Sequence, residues 1–369
     1  MSLEQSRLEW GFWPHDEELS TELMRLLSAG QEGGAAVAEC LLTAGNISAD
    51  ESNSWHREWK RIADLNKKRG DAAYRDGNWA TAQSNWRRAM NYYLAAGLRL
   101  QRSDERWRSV ALKLRECARQ YLKCRRPAGE VVMIPWTADH TLQAYFSPAR
   151  SGDGRHPVVL CIGEPGELKE KFLCKLERQA HDRGLALLAV DLLGKGTGES
   201  LHGVIGSPEF ESAIRSVIDY LVGRRDVDRH RIAVLADECG SSFVARAVAS
   251  DSRPAVAVCD GGIWDAHERA FLARRRHSCD LEPNSRMAAS PIALRLQCPV
   301  LITLGEQGWL RPDTVSQLVE EVRRRNSDVT LKVFSRSETA AAQGHTDNPT
   351  LANEFIFDWI AMRLGAREQ

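Results

Sequence analysis

The feature that most constrains the fold of this chain is a change of hydrophobic pattern near residue 130. From there on, short and continuously apolar runs follow one another, and segments with helical periodicity separate most of the later ones. This alternation predicts a mostly parallel, doubly wound sheet covered by helices on both faces, an α/β fold. The first two runs lie close together, as in an antiparallel hairpin at a sheet edge. The predicted strands are EVVMIPW, TLQAYF, PVVLCIG, LALLAVDL, RIAVLAD, AVAVCDGG, PVLITLG and LKVFS.

The first third of the chain has a different pattern. Residues 16 to about 125 are helical in periodicity and contain no convincing strand, so we expect an all-helical domain over residues 1–128 and an α/β domain over residues 129–369. Within the first, RGDAAYRDGNWATAQSNWRRAM spaces its small residues and Trp86 like one tetratricopeptide unit. A single copy predicts a close-packed helical hairpin, because a peptide-binding array needs about three repeats.

Composition narrows the class of partner. Lys plus Arg and Asp plus Glu number 50 each in 369 residues, so no global basic field attracts nucleic acid or an anionic membrane, and a small molecule is the expected ligand. The first residues mix acids, bases and aromatics, unlike a signal peptide, and no run reaches membrane-spanning length, so we expect a cytoplasmic protein. The nine cysteines contain no C-x-x-C pair and predict reduced thiols, with no metal site or cofactor. The sequence is compatible with a homodimer.

The segment LADECGSSFVARAVA, residues 235 to 249, predicts a strand that turns sharply into a helix. This is where α/β-hydrolases hold their nucleophilic serine, in a G-x-S-x-G turn with small residues on both sides of the centre. Only a turn centred on Glu238 has small flanks, Ala236 and Gly240. Glu238 is therefore predicted to project where the serine normally stands, and Cys239 is a weaker candidate nucleophile.

A second turn has the position of an oxyanion hole. Gly163 and Glu164 follow the strand PVVLCIG, and their backbone N–H groups, together with the N–H of Cys239, are candidate donors to a developing negative charge. The alternative interpretation is an ordinary strand-to-helix turn. Trp264 and Asp265, which follow the strand AVAVCDGG, are predicted to line the same pocket.

The segment AAAQGHTDNP places His345 in a loop after the last strand, the usual position of a hydrolase's catalytic histidine. The expected acid is missing. Hydrolases commonly carry G-x-x-D-x-x-x-P after the seventh strand, and here Gly308 stands at the aspartate position. Either Glu306 orients His345 instead, or the histidine has no carboxylate partner.

Several segments carry a family resemblance. SWHREWKRIAD and YYLAAGLRL in the helical part, with LAVDLLGKGTGES, VDRHRIAVLADECGSS and GHTDNPTLANEFIFDWI later on, resemble α/β-hydrolases of the 2,6-dihydroxypseudooxynicotine hydrolase type. Relatives of that group shorten polyketides by carbon–carbon cleavage. The resemblance implies a helical cap over the active site and a small aromatic or polyketide-like ketone as substrate. It also implies that Glu238 replaces the family's serine and Gly308 its acid, while His345 is retained.

Loss of the serine argues against an acyl-enzyme mechanism and for proton chemistry. A desolvated glutamate near Glu164 would have a raised pKa and act as a base on a C–H next to, or vinylogous to, a carbonyl. The combination resembles enzymes of spirotetronate polyketide pathways that eliminate acetate from an O-acetylated tetronate to give an exocyclic alkene. The leading hypothesis is such a carbon–oxygen lyase of antibiotic biosynthesis. Two alternatives stay open: an ester or carbon–carbon hydrolase, and a catalytically inactive binding protein.

Overall fold

The computed structural model describes the greater part of the chain: residues 13, 16–48, 51, 53–138, 140–150, 154–163, 168–192, 208–237, 240–261, 295–308, 312–325 and 328–366. Five helices precede every strand found in these ranges. They are α1 (Glu17–Ser28), α2 (Val37–Gly45), α3 (Ser54–Arg75), α4 (Trp79–Ala96) and α5 (Glu105–Cys124).

Eight strands form one sheet. They are β1 (Glu130–Pro135), β2 (Thr141–Ser147), β3 (His156–Ile162), β4 (Ala186–Val190), β5 (Val227–Asp237), β6 (Val256–Asp260), β7 (Val300–Gly305) and β8 (Val329–Phe334). Their order across the sheet is β1-β2-β4-β3-β5-β6-β7-β8. Strand β2 pairs antiparallel with β1 and β4, and every other pair is parallel. The predicted mostly parallel sheet with an antiparallel edge hairpin is confirmed.

Helices cover both faces of the sheet. The helices after β3 are α6 (Glu170–Lys175), α7 (Glu177–Asp182), α8 (Pro208–Gly223), α9 (Gly240–Ser250), α10 (Pro312–Arg323) and α11 (Pro349–Leu364). Because side chains alternate along a strand, Leu160 and Val234 face a core shared with α8, α9 and α10, while Cys161 and Leu235 face the other core. That second core is continuous with the interior of α1–α5. Among the described helices, none combines the length and apolar character needed to span a membrane.

The helical hairpin predicted from the small-residue spacing is formed by α3 and α4. Gly77 turns the chain between them with φ +77°, a conformation that favours glycine. Gly70 lies against the indole ring of Trp86, where an added Cβ would come within 2.7 Å of two ring atoms. The ring cannot move freely, because its Nε1 donates to Asp71 Oδ1 at 2.9 Å. Close helix approach therefore depends on glycine at residue 70.

A buried carboxylate, Glu177 at the start of α7, joins the helical part to the sheet domain. It accepts a hydrogen bond from Arg87 Nη2 of α4 at 3.0 Å. It also lies 3.0 Å from Nε of Arg125, the residue just after α5. The hydroxyl of Tyr121 on α5 also donates to it, and so does Ser147 Oγ of β2 at 2.7 Å. Since a buried charge is stable only when it is paired and hydrogen-bonded, these contacts fix the helical part on the sheet.

We expect Gly70→Ala to destabilise the protein by about 2 kcal/mol, even though alanine is the better helix former, because overpacking against Trp86 outweighs the gain in helix propensity. Gly45→Ala is the matched control, since no heavy atom lies within 4 Å of its added Cβ. Urea unfolding of the two variants measures the difference. Equal stability of both variants would contradict the close approach of α3 and α4.

Candidate active site

His345 is the side chain around which the candidate site is built. It ends a short 3-10 turn, Gln343–His345, between β8 and α11, and is 2% exposed. Its ring Nδ1 lies 2.6 Å from the carbonyl oxygen of Ala340, and its Nε2 lies 2.8 Å from Asp260 Oδ1. Both ring nitrogens are therefore engaged by oxygen acceptors.

Asp260 is the carboxylate partner of His345. It is the last residue of β6 and is 4% exposed, and Thr303 of the neighbouring strand β7 donates its hydroxyl to the same Oδ1 at 2.7 Å. Sequence analysis missed Asp260 because it sought the acid after β7. The signal that would have found it is an aspartate at the carboxyl end of an apolar strand, the edge where ligands bind in parallel sheets.

The structure corrects the expectation that Glu306 orients His345, or that the histidine lacks a carboxylate partner. The exposed Glu306 carboxylate accepts from the backbone N–H of Arg336 at 2.6 Å, and both ring nitrogens of His345 have other partners. At Gly308, an added Cβ would lie 2.8 Å from Gln343 Oε1 and 3.1 Å from the carbonyl oxygen of Gly305. Gln343 thus crowds the position at which an aspartate was expected.

The geometry favours a charged pair. Burial lowers the pKa of His345, but the Asp260 carboxylate outweighs burial and the pKa is raised above its ordinary value. Burial likewise raises the pKa of Asp260, and the charge and hydrogen bond of His345 reverse this, so that the pKa falls below its ordinary value. Only the imidazolium form donates to Ala340 and Asp260 together. In this arrangement His345 is a proton donor.

The loop that carries His345 has an unusual backbone. Thr339, Ala340, Gly344 and His345 all have φ between +56° and +67°, a region that costs non-glycine residues of the order of 1 kcal/mol or more each. The Asp347 carboxylate stabilises the loop by accepting from the N–H groups of Ala341 and Ala342 at 3.0 and 3.1 Å. Strain of this kind persists only where surrounding contacts hold it, and it clusters at functional sites.

The helical part contacts this loop directly. Ser28, the last residue of α1, places its hydroxyl 3.0 Å from the carbonyl oxygen of Thr346 and 3.4 Å from that of Asp347. The first helix therefore ends against the segment that immediately follows His345.

The end of β5 lies beside Asp260. Asp237, the last residue of β5, is the register partner of Asp260, is 6% exposed and pairs with Lys175 at 3.1 Å and Lys171 at 3.4 Å. Burial raises the pKa of Asp237, but the two ammonium groups dominate and hold it well below its usual range. Next to it, Ser241 in the first turn of α9 donates to the carbonyl oxygen of Asp260 at 2.9 Å. The Ser241 contact joins the first turn of α9 to the end of β6.

Of the remaining predicted site residues, only Gly163 lies in the part of the chain that the structure describes. Gly163 is buried and directly follows β3, and its role as an oxyanion donor stays a prediction. The other predicted residues lie outside the described residues, and their roles stay predictions: Glu164, Glu238, Cys239, Trp264 and Asp265. Among the described residues, no group of three His, Cys, Asp or Glu side chains is arranged to hold a metal ion.

The sequence is similar to fungal hydrolases. No family model matches it. Hydrolyase poxO of Penicillium oxalicum is 29% identical over 254 residues, which cover 66% of this chain and 59% of the fungal protein, less than two thirds of its length. Hydrolase ORFZ of Pyricularia oryzae is 25% identical over 314 residues, covering 81% of this chain and 68% of that protein.

Solved structures match almost the whole chain. The 2,6-dihydroxy-pseudo-oxynicotine hydrolase superimposes with a TM-score of 0.70 over 94% of this chain and 97% of that one, at 17% sequence identity. The fold is that of an α/β-hydrolase. At this identity the likeness establishes the fold alone, and the α/β-hydrolase fold with an N-terminal helical region, expected from the sequence, is confirmed. Within that fold, His345 follows the last strand and Asp260 ends the strand after the predicted nucleophile turn.

We expect Asp260→Asn to lower the pKa of His345 and to destabilise the protein by about 3 kcal/mol, because it leaves a buried imidazole without its counter-ion. The pKa of His345 is raised and that of Asp260 lowered on folding, so the ion pair contributes fully between pH about 4 and about 6.5, and it is lost as pH rises through the folded-state pKa of His345 or falls through that of Asp260. The stability difference between wild type and variant should therefore shrink with rising pH. NMR titration of His345 and urea unfolding at several pH values measure both effects.

Glu306→Gln is the control for this experiment, because the Glu306 carboxylate contacts Arg336 and lies outside the pair. It should leave the titration of His345 unchanged. If Glu306→Gln lowered the pKa of His345 while Asp260→Asn did not, the assignment of the partner would be reversed.

Removing the Asp347 carboxylate, which stabilises the loop, should affect His345 indirectly. Asp347→Ala eliminates two charge-assisted hydrogen bonds, so the amides of Ala341 and Ala342 should exchange about tenfold faster or more. Because the backbone at His345 is strained, we also expect its ring resonances to broaden or shift. Hydrogen exchange and NMR detect these changes, and an unaltered His345 spectrum would show that Asp347 does not position the histidine.

Proposed function

We propose that this chain is an enzyme that hydrolyses an ester or carbon–carbon bond of a small, polyketide-like ketone without a serine nucleophile. The observation that carries the proposal is the buried Asp260–His345 ion pair at the carboxyl edge of the sheet, beside the end of β5. A preorganised imidazolium in a site shielded from water is suited to protonate a leaving group or to stabilise an oxyanion.

The relatives support hydrolysis as the reaction class. The Penicillium protein is named a hydrolyase and the Pyricularia protein a hydrolase, and the structural match is named for a hydrolase of 2,6-dihydroxy-pseudo-oxynicotine. Transferred to this chain as a proposal, the two hydrolase names indicate bond cleavage by water on a small organic substrate, whereas a hydrolyase is a lyase that eliminates or adds water. A role in the synthesis of a natural product is part of the same proposal.

The proposed mechanism needs a base other than His345. Glu238, which follows Asp237 in the chain, takes a proton from water as the water oxygen attacks the substrate carbonyl. The carbonyl carbon then loses its bond to the leaving carbon or oxygen, and His345 donates a proton to that atom once one of its N–H groups turns away from the acceptor that it has in this structure. In the proposal, Gly163, Glu164 and the N–H of Cys239 bind the oxyanion, and Trp264 and Asp265 line the pocket.

A second candidate is elimination of acetate from an O-acetylated tetronate, as a carbon–oxygen lyase. The specific observation that favours it is that His345 has no ring nitrogen left to act as a base, while residue 238 is a glutamate. Glu238 would then remove a C–H proton, the C–O bond to acetate would break, and an alkene would form without water. A catalytically inactive binding protein is the outcome in which neither reaction occurs.

Oxygen-isotope labelling separates these reactions. The protein is incubated in H₂¹⁸O with carbon-acylated ketones, simple esters and an O-acetylated tetronate, and the products are analysed by mass spectrometry. Hydrolysis puts one labelled oxygen into the released acid. Elimination releases unlabelled acetate together with an alkene. The hydrolase proposal predicts labelled acid. Unlabelled acetate together with an alkene would instead support the lyase. No turnover of any substrate would favour a binding protein.

The same assay tests the proposed residues. Glu238→Gln should abolish turnover, and His345→Ala should reduce it about 100-fold or more, because general acid–base groups typically contribute this much. Glu306→Gln, an equally conservative change at an exposed carboxylate, is the matched control and should retain full activity. Near wild-type turnover by Glu238→Gln would remove the proposed base.

A further inference from the structure

A polar cavity lies between the helical part and two helices of the sheet domain, α7 and α11. Its volume of about 490 Å³ falls within the range of small-molecule sites, roughly 300 to 1,000 Å³. The loop after α1 contributes Gln31 and Glu32 to its wall. Thr350, Glu354 and Asp358 of α11 follow one another at intervals of four residues, so they line the cavity with one face of that helix.

Glu32 is the buried charge of this polar cavity, with 4% of its surface exposed. Its Oε1 accepts a hydrogen bond from Gln179 Nε2 of α7 at 2.7 Å. The Gln179 amide is fixed in this orientation, because its own oxygen accepts from Arg183 Nη1 at 2.7 Å. Within the ranges that the structure describes, no donor reaches Oε2 of Glu32. A buried carboxylate oxygen without a donor is costly, so Glu32 has a strong acceptor in need of a partner.

The arginines around Glu32 are bonded to other groups. Arg87 donates to the backbone carbonyl oxygen of Glu32 at 3.0 Å, and its charge is paired with the Glu177 carboxylate at 3.0 Å. Arg183 is paired with Asp358 at 2.6 Å. The positive charge on this side of the cavity is therefore already compensated by Glu177 and Asp358.

Two further acceptors line the polar cavity. The hydroxyl oxygen of Thr350 is buried and has no hydrogen-bond partner in the described part of the chain. The Glu354 carboxylate has no ion pair there either, since Arg183 reaches its backbone carbonyl oxygen instead, at 3.5 Å. The last arginine of the lining, Arg178, lies 3.4 Å from Asp182. The cavity thus combines paired cations with three oxygen acceptors that lack a donor, two of them on carboxylates.

We propose that the polar cavity binds a small primary amine in its protonated form, whose ammonium group donates to Glu32, Thr350 and Glu354. An ammonium carries three N–H donors and no acceptor, which matches three oxygen atoms in number and its positive charge matches the two carboxylates in sign. A metal ion fits less well, because the described residues contain no group of three His, Cys, Asp or Glu side chains arranged to hold one.

This binding site is separate from the candidate active site, with which its lining shares no residue. The cavity wall is built by the helical part and by α7 and α11, so a bound amine contacts both parts of the chain. A ligand that binds only the folded protein stabilises it. We therefore expect the amine to stabilise the docking of the helical part, whichever reaction the enzyme catalyses.

Calorimetry with the intact protein at pH 7 and constant ionic strength tests the site. The probes are butan-1-amine, butan-1-ol, butyltrimethylammonium and magnesium chloride. The amine should bind with one molecule per chain. The alcohol lacks the charge and the trimethylated cation lacks the N–H donors, so each should bind about tenfold more weakly than the amine. Magnesium at the same concentration should not displace the amine.

Matched variants locate the amine. Glu32→Gln keeps the shape of the side chain and removes its charge, so it should weaken binding of butan-1-amine about tenfold or more. Thr350→Val removes one acceptor and should weaken binding about threefold. Glu321→Gln, the same change at an exposed carboxylate of α10, should leave the affinity unchanged. Circular dichroism verifies that each variant is folded, and Glu354→Gln replaces Glu32→Gln as the test of charge if the latter does not fold.

The wild-type probe series can overturn the proposal by itself. No binding of the amine contradicts it, and so does equal affinity for the alcohol or for the trimethylated cation. Displacement of the amine by magnesium would assign the cavity to an inorganic cation instead. Wild-type affinity in all folded variants of Glu32, Thr350 and Glu354 would place the amine elsewhere on the protein and would also overturn the proposal.

Discussion

The packing of the helical part against the sheet depends on the buried carboxylate of Glu177. It gathers Arg87 and Tyr121 from the helical part and Ser147 from the sheet around one charge with no exposed surface. Breaking a buried pair is strongly destabilising, whereas the intact pair contributes little net stability over a well-packed apolar cluster. Its value here lies in specificity, because only one docking of the helices satisfies all the donors. The contact of Ser28 with the His345 loop follows from that docking.

The His345 loop shows how a strained backbone is kept in place. Positive φ values at three of its non-glycine residues disfavour the observed conformation, and the contacts that oppose this come from three directions. Asp347 holds two backbone N–H groups, Asp260 holds the imidazolium, and Ser28 holds the carbonyl of Thr346. Since these supports belong to α1, β6 and the loop itself, the orientation of His345 reports on the packing of the whole domain.

The sequence alone was enough to predict the sheet but not the carboxylate partner of His345, and the reason is physical. Strands β3, β4, β6 and β7 are almost entirely apolar, so their pattern is local and can be recognised in the sequence. The pairing of Asp260 with His345 joins residues 85 positions apart and depends on strand order. Gly308 was interpreted as a lost acid, but the crowding by Gln343 is visible only once the loop of His345 is placed against β7. The position of a turn could be inferred from the spacing of residues in the sequence. The hydrogen-bond partner of a side chain could be identified only from the alignment of the strands in the folded structure.

The same pair constrains the chemistry. In a serine hydrolase the histidine must be neutral, with a free nitrogen facing the nucleophile, so that it can accept the hydroxyl proton. Here both nitrogens of His345 meet oxygen acceptors, and the Asp260 carboxylate raises the pKa of the ring. A histidine engaged in this way does not serve as the base, and the proposed mechanism assigns that role to Glu238. In the proposed mechanism one residue accepts the proton and the other returns it, which gives residues 238 and 345 complementary roles.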